Sequence, residues 1–235
     1  MQRGCPTSPR FYGRRKGRPL RRGKQDLLTD MLPDLRFDAT RPLATQFNHT
    51  NSGQVDLALE IGFGGGEHLA GLAEANPTVN YIGAEPFVNG VASLLRHIQR
   101  RHLSNIRIWD DDVRLILPAL PVAGLSRVFI MCPDPWPKKR HASRRILQPE
   151  MMDVLAQLIR PSGQLVLASD DPTAKGWLLK TAISHPRFYW TARRPADWRQ
   201  RPLQLPATRY MAKAEQASRQ VSWFIFERCC KRWKP

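Results

Sequence analysis

The fold is decided by one stretch of the sequence, Leu59-Glu60-Ile61-Gly62-Phe63-Gly64-Gly65-Gly66-Glu67, in which an apolar run turns into a helix-like segment. Glycines at such a turn let the backbone fold tightly and let a ligand approach the main chain closely. The dinucleotide fingerprint G-x-G-x-x-G does not fit, because its third glycine falls on Glu67 or on Leu69, depending on the register. What remains is the pattern E-x-G-x-G-x-G, with the acid Glu60 inside an otherwise apolar strand.

Around that turn, short apolar runs alternate with helix-like segments. The runs predict strands over residues 55–61, 79–84, 105–109, 127–132 and 163–169. The segments between them predict helices over residues 66–75, 87–102, 112–120, 147–160 and 173–184. Near-continuous apolar runs are typical of strands buried on both faces, and repeated strand–helix units predict an α/β fold with a doubly wound, mostly parallel sheet. A last run, 221–227, is a candidate for a terminal antiparallel strand.

The charge is concentrated at the two ends of the chain. Among 235 residues, 37 are Lys or Arg and 20 are Asp or Glu, which gives a net charge of +17. Residues 1–25 hold nine basic residues and no acid, residues 193–235 hold eleven basic and three acidic residues, and residues 26–192 are neutral. We therefore expect a flexible basic arm over 1–25, followed by a single α/β domain over 26–235 with a basic carboxyl-terminal segment. Such ends favour a nucleic acid partner over a membrane, with a solubilising tail as the alternative.

Several classes of protein are excluded by composition. No apolar run approaches the roughly 20 residues that cross a bilayer, and no apolar stretch follows the charged amino terminus as in a signal peptide. The four cysteines form no C-x-x-C pair, and the six histidines are scattered along the chain. These features predict a cytoplasmic protein with no metal site and no membrane partner.

Two more acids follow predicted strands. Glu85 ends the second strand, where an acid hydrogen-bonds a ribose diol in open α/β sheets, and Asp112 follows the third strand, where it could meet an adenine amino group. With Glu60 they fall at the edge where such sheets bind ligands, which predicts a nucleoside cofactor. The alternative for the run Asp110-Asp111-Asp112 is a solvated helix start with one N-cap, an alternative stronger for the first two than for Asp112.

The second motif is Pro133-Asp134-Pro135-Trp136-Pro137-Lys138-Lys139-Arg140-His141-Ala142-Ser143-Arg144-Arg145. Its three prolines exclude helix and strand and predict a rigid loop at the same edge of the sheet. The basic residues after it are suited to gripping phosphates, and a solvated face is the alternative. Trp136 is suited equally to stacking on a base and to packing beneath the loop, and both interpretations stay open. His141 is as suited to structural capping as to RNA contact.

These motifs, with Phe11-Tyr12-Gly13-Arg14-Arg15-Lys16-Gly17-Arg18-Pro19-Leu20-Arg21, Ser169-Asp170 and Ala207-Thr208-Arg209-Tyr210, resemble the bacterial tRNA (guanine-N7-)-methyltransferases. The resemblance extends from about residue 11 to residue 227, and PDPWPKKRH is its most specific element. It implies a Rossmann-like fold of the class I S-adenosylmethionine-dependent methyltransferases. It also implies S-adenosylmethionine as the methyl donor and N7 of a guanosine in the tRNA variable loop as the acceptor. We expect a monomer.

The resemblance also implies residue roles. Cofactor contacts fall on Glu60, Gly62, Gly64, Glu85, Asp112 and Asp134, and Asp134 is also the implied catalytic residue. Substrate contacts fall on Lys138, Asp170, Thr208, Arg209 and Tyr210. RNA contacts fall on Arg140, His141, Arg144 and Arg145.

One position departs from the family, because Met211 stands where T-x-[FY]-E has its Glu. Either Glu215 substitutes for that acid or the contact is lost. Two other functions remain as alternatives. A methyltransferase for an exocyclic amino group is disfavoured because Trp136, rather than a proline, follows Pro135. A non-catalytic RNA-binding protein is disfavoured by the intact acids.

Overall fold

The computed structural model describes residues 11–47 and 56–230. The described chain forms a seven-stranded sheet, whose strands are β1 (Leu57–Ile61), β2 (Asn80–Ala84), β3 (Ile106–Trp109), β4 (Leu125–Met131), β5 (Ile159–Ser169), β6 (Phe188–Trp190) and β7 (Ser222–Arg228). The α-helices are α1 (Arg22–Asp30), α2 (Leu32–Leu35), α3 (Glu67–Ala75), α4 (Val88–Arg101), α5 (Pro149–Leu158), α6 (Pro172–Ile183), α7 (Ala196–Arg199) and α8 (Arg209–Gln216). None of the helices in these two stretches is long and apolar enough to span a bilayer.

The sheet is doubly wound, with the strand order β3-β2-β1-β4-β5-β7-β6. Strands β1 to β5 pair in parallel, whereas β7 is antiparallel to both β5 and β6. The predicted mostly parallel sheet and the antiparallel strand near the carboxyl end are therefore confirmed. The winding reverses between β1 and β4, and in such sheets the crevice for a ligand opens there, outside the carboxyl ends of the strands.

Helices cover both faces of the sheet, which explains why the central strands are apolar throughout. On one face, Leu57 and Leu59 of β1 share a buried cluster with side chains of α5 and α6. On the other, Ala58 shares a second cluster with side chains of α3 and α4. Because side chains alternate along a strand, Glu60 lies on the same side as Ala58 and faces α3. The predicted apolar stripe of α4 is confirmed, since four of its members are buried (Val91, Leu94, Leu95 and Ile98) and Val88 is half-buried.

The helix predicted over residues 112–120 is wrong. Two short 3-10 turns, Val113–Leu115 and Leu117–Ala119, stand in its place. Pro118 lies in the second turn, and a proline inside an α-helix would remove an amide donor and clash with the preceding turn. Both turns and the neighbouring face of α5 border the cleft described below.

Several short elements were absent from the predicted set, namely α1, α2, α7, α8 and β6. One of them, α2, closes the β3 edge of the sheet. It packs against β3, and two residues beyond it the amide of Phe37 donates to the carbonyl of Ile108 at 2.8 Å. The predicted boundary between arm and domain, at residues 25 and 26, falls inside α1. Residues 1–10 of the predicted arm lie outside the described residues, and the flexibility of the arm stays a prediction.

Candidate active site

A cleft of about 1050 Å³ opens at the carboxyl ends of β1, β2 and β4. Its walls include the glycine turn, the residues after β2, the two 3-10 turns, the proline-rich loop and α5. Residues 11–14, from the amino-terminal side of α1, complete the wall. Ligand pockets commonly measure about 300–1,000 Å³, so the cleft is large enough for a nucleoside cofactor with part of a second ligand.

The glycine turn leaves its side of the cleft open. Gly62 and Gly64 have φ values of +73° and +54°, a region that disfavours residues with a side chain. A Cβ atom built on either residue would have no heavy atom within 4 Å, so that both positions face open space. The turn is fixed from behind, because the Gly62 amide donates to the carbonyl of Ala84 at 2.8 Å. A ligand is therefore able to approach the main chain here.

Glu85 lies in the cleft wall at the end of β2. Its Oε2 accepts a hydrogen bond from the Gly64 amide at 2.8 Å, and its Oε1 accepts one from the Phe87 amide at 2.9 Å. Burial raises the pKa of Glu85, and the negative charges of Asp134 and Glu60 raise it further, while the two amide bonds counteract the rise. The carboxylate is thus tied to the glycine turn in a strongly negative part of the cleft.

Asp112 is buried and serves as an N-cap. Its Oδ1 accepts from the amide of Arg114 at 3.0 Å, at the start of the first 3-10 turn, and both carboxylate oxygens accept from the Arg114 side chain. The cap is thus the one of the three aspartates for which the structural alternative was rated weaker. Asp110 instead forms a two-point pair with Arg36, with both distances 2.8 Å, and Asp111 pairs with Arg15 at 2.7 Å. Asp112 nevertheless reaches the cleft wall.

Glu60 is buried behind the glycine turn and is absent from the residues that line the cleft. Its Oε2 lies 2.8 Å from Nδ1 of His68, the second residue of α3. The other ring nitrogen of His68 is buried and has no hydrogen-bond partner within the described part of the chain. The contact between Glu60 and the cofactor therefore stays a prediction.

Asp134 differs from the other predicted acids because it is exposed in the cleft wall. The structure gives its carboxylate no hydrogen bond and no ion pair with any residue in 11–47 or 56–230. Its oxygens are consequently available to accept bonds from a ligand.

The proline-rich loop is strained and supported from below. Trp136 has a φ of +42°, which is unusual for a residue with a bulky side chain. Arg145 donates to the carbonyls of Pro135 and Trp136 at 3.1 and 3.0 Å, and its guanidinium lies over the ring of Trp177 at 4.5 Å. Arg145, expected to contact RNA, thus holds the loop in place in this structure.

The other members of the basic run lie further out. Lys138 is exposed and precedes a 3-10 helix, Lys139–Arg144, in which Arg140 is also exposed. The ring of His141 meets Trp136 edge to face, with 5.8 Å between the ring centres. The Arg144 guanidinium lies over the Trp136 ring at 5.0 Å.

Asp170, at the carboxyl end of β5, is buried and already paired. Its Oδ1 accepts from the hydroxyl of Tyr210 at 2.7 Å, and its Oδ2 accepts from Nε of Arg219 at 2.7 Å. Burial would raise the pKa of Asp170, but these bonds outweigh burial and lower it. Burial, followed by the charge of Asp170, raises the pKa of the Cys132 thiol to about 12, so this cleft residue is a poor nucleophile.

The remaining predicted substrate residues belong to α8. Thr208 is its N-cap, accepting a hydrogen bond from the Met211 amide at 3.2 Å, and Arg209 is exposed. The side chain of Met211 packs against the apolar cluster that includes Trp223, and Glu215 is exposed. Met211 therefore has a packing role.

Sequence reasoning missed several residues of the site. Phe11, Tyr12 and Arg14 line the cleft, although they lie far from the glycine turn in sequence. Their position is set by contacts with α4, since the Val88 amide donates to the carbonyl of Arg15 at 3.0 Å. The aromatic pair in a basic, glycine-rich segment was the available signal. His68 and Arg219 carried no signal before their partners were known.

The chain is similar to known methyltransferases along most of its length. A protein-family profile described as "Putative methyltransferase" matches residues 54–224. The tRNA (guanine-N(7)-)-methyltransferase of Rhodospirillum rubrum is 49% identical over 227 residues, covering 93% of this chain and 88% of that one. The protein of the same name from Paramagnetospirillum magneticum is 47% identical, covering 94% and 93%. A solved rRNA methylase from Streptococcus thermophilus shares the fold, with a TM-score of 0.51 at 10% identity over 75% of this chain and 88% of that one.

Proposed function

The chain belongs to the family of tRNA (guanine-N(7)-)-methyltransferases, and from that premise we propose that it transfers the methyl group of S-adenosylmethionine to N7 of a guanosine in tRNA. The catalytic residue is assigned from the hydrogen-bond partners of the acids around the cleft. Glu60, Glu85, Asp112 and Asp170 all have protein partners, whereas the carboxylate of Asp134 is exposed in the cleft wall and accepts no bond from the described residues.

The walls of the cleft fit S-adenosylmethionine. This cofactor carries a sulfonium and an ammonium, so a cleft lined by carboxylates and bordered by an open glycine turn complements its charge. We propose that Gly62 and Gly64 face its amino-acid part, that Glu85 accepts from the ribose hydroxyls, and that Asp112 accepts from the adenine amino group. When bound, the cofactor supplies an electrophilic methyl group.

The chemistry needs no general base. Guanine N7 carries a free lone pair and no proton, so the protein must hold N7 in line with the methyl group and exclude water. Orientation of this kind contributes about 7–11 kcal/mol in favourable cases. Asp134 therefore positions rather than deprotonates, and accepts from the cofactor or from the N1–H and N2 donors of guanine.

Asp170 has a more restricted part in this scheme. Both of its oxygens are engaged by Tyr210 and Arg219, so a guanine donor reaches this carboxylate only when one of those bonds is exchanged. We propose that Lys138, Arg140 and the amino-terminal basic residues contact phosphates of the tRNA, because they are exposed and cationic beside the cleft.

The proposal is tested with purified protein, S-adenosylmethionine and tRNA, by mass spectrometry of the digested RNA. The wild type should produce 7-methylguanosine. Asp134→Ala should abolish transfer, and Asp134→Asn should lower kcat by at least about 100-fold, because the amide offers a neutral oxygen and adds donors where only acceptors serve.

The matched control is Asp34→Asn, which neutralises an exposed acid on α2 outside the cleft and should keep wild-type kcat. A methyl group on any atom other than N7 would contradict the assigned reaction. Near-normal turnover by Asp134→Asn would contradict the role of Asp134 but not the assigned reaction.

A further inference from the structure

Three planar side chains meet at the mouth of the cleft. The guanidinium carbon of Arg144 lies 4.9 Å from the centre of the Tyr12 ring and 5.0 Å from the centre of the Trp136 ring. All three residues line the cleft. Tyr12 comes from the amino-terminal segment and Trp136 from the proline-rich loop, so the contact joins two walls of the cleft through one flat cation.

The distances match those of a stacked base. Offset-stacked aromatic groups have ring centres about 4.5–7 Å apart, and both Arg144 distances lie in that range. A guanidinium is planar and binds aromatic faces, as a nucleobase does. The guanidinium therefore contacts both rings at once, and a purine is a flat group with the same affinity for aromatic faces.

Both rings are anchored by contacts that do not involve Arg144. The segment of Tyr12 is tied down by the ion pair between Arg15 and Asp111 and by two bonds with Asn89, whose side chain accepts from the Gly17 amide and donates to the carbonyl of Arg18. The Trp136 backbone is held in its strained conformation by Arg145. Strained residues persist where the surroundings fix them and commonly mark functional sites.

We propose that Tyr12 and Trp136 form a slot that stacks on the target guanine, and that Arg144 occupies this slot in the absence of RNA. The inference rests on the proposed function and names how that function holds its base. Asp134, two residues before Trp136, lies in the same wall, and its carboxylate is the acceptor that the proposed function assigns to the donor edge of the stacked base. On RNA binding Arg144 leaves the slot and becomes available to a phosphate.

The first test compares Tyr12→Leu with Tyr12→Phe in the full chain. Leucine keeps apolar bulk but lacks a π-face, whereas phenylalanine keeps the stacking surface. Loss of stacking on one base corresponds to about a 10-fold to 100-fold change, so kcat/KM for tRNA should fall by that factor in Tyr12→Leu and stay near wild type in Tyr12→Phe. The Kd for S-adenosylmethionine, measured by calorimetry, should be unchanged in both.

The second test reads the contact directly. Guanosine 5′-monophosphate serves as the probe for protein that is deuterated except at Tyr and Trp. Magnetisation should pass from Tyr and Trp ring protons to guanine H8. Tyr12→Leu should abolish the Tyr contribution to this transfer.

The outcomes separate this inference from the proposed function. An inactive wild type that binds no S-adenosylmethionine would refute the function itself. An active wild type whose Tyr12→Leu variant matches it, or whose rings transfer no magnetisation to H8, would overturn the slot alone. If the contact only ties the two walls together, Tyr12→Leu should lower kcat/KM but the rings should transfer no magnetisation to H8. That result would also overturn the slot.

Discussion

Among single residues, the acids of the site are distinguished by their partners rather than by their positions in the sequence. Glu60, Glu85 and Asp112 all follow the expected pattern at successive strands, yet Glu60 is buried against His68 and Asp112 is neutralised by Arg114. Sequence reasoning located these acids because strand ends are readable from apolar runs. It could not identify which carboxylate oxygens remain available, because the partners are His68 of α3 and the Arg114 side chain, which folds back onto Asp112.

Glu85 predicts a pH dependence of cofactor affinity. Burial raises the pKa of this carboxyl in the folded protein. If ribose hydroxyls donate to the ionised form, as we propose, affinity is complete above the raised pKa and falls as the pH decreases through it. Calorimetric Kd values for S-adenosylmethionine from about pH 8 to about pH 5 should show this weakening at a higher pH than an ordinary Glu would give.

Glu85→Gln is the control for that measurement. It keeps an acceptor oxygen but has no proton to gain, so it should bind more weakly at pH 8 and lose the part of the pH dependence that belongs to Glu85. An identical pH profile in both proteins would show that another group titrates.

Among the elements, α8 is held to the end of β5 by one buried carboxylate. Tyr210→Phe removes a donor from Asp170, and a hydrogen bond to a charged acceptor is worth about 1.5–3 kcal/mol. Because Tyr210 is about half exposed, we expect the lower part of that range as a loss in the free energy of unfolding, measured by urea denaturation. The loss should shrink as the pH falls through the pKa of Asp170, which is lowered in the folded state.

The comparison for the α8 contact is Tyr189→Phe in β6, which removes a hydroxyl that hydrogen-bonds Glu227 near the protein surface rather than a buried carboxylate. It should change the free energy of unfolding by less than about 0.5 kcal/mol, as most surface substitutions do. Equal losses in the two variants would mean that the bond to Asp170 does not stabilise the fold.

The predicted elements were correct where hydrophobic periodicity was strong and wrong where proline or short length decided the conformation. Strands β1 to β5 and helices α3 and α4 were predicted to within a few residues, because their apolar residues recur at the spacing of buried strands and helices. The failure at 112–120 had a readable cause, since Pro118 stands inside the predicted helix. Helices of four residues, such as α2 and α7, bury too little surface to leave a periodic pattern.

In the molecule as a whole, the basic segment that precedes α1 lies beside α4. Arg18 and Arg21 are exposed there, next to the amino-terminal half of α4. If both contact phosphates, Arg18→Gln combined with Arg21→Gln should weaken tRNA binding and reduce the slope of log K against log salt concentration by about two. Binding titrations at several salt concentrations measure that slope.

A variant with the same change in charge provides the comparison. Lys180→Gln with Arg193→Gln removes two exposed cations near β6, at the opposite edge of the sheet. It should leave the slope nearly unchanged. Equal changes in both double variants would indicate that only net charge matters and that the arginines beside α4 make no specific contact.

The reversed direction of β7 has a practical consequence for handling the protein. Its last residue, Arg228, lies at the end of the sheet away from the cleft, whereas Phe11 stands in the cleft wall itself. An affinity handle or fluorescent fusion attached beyond Cys230, the last residue that the structure describes, would therefore begin on the remote side. The same addition before Phe11 would begin beside the cleft, where we propose that the tRNA docks, and would compete with it.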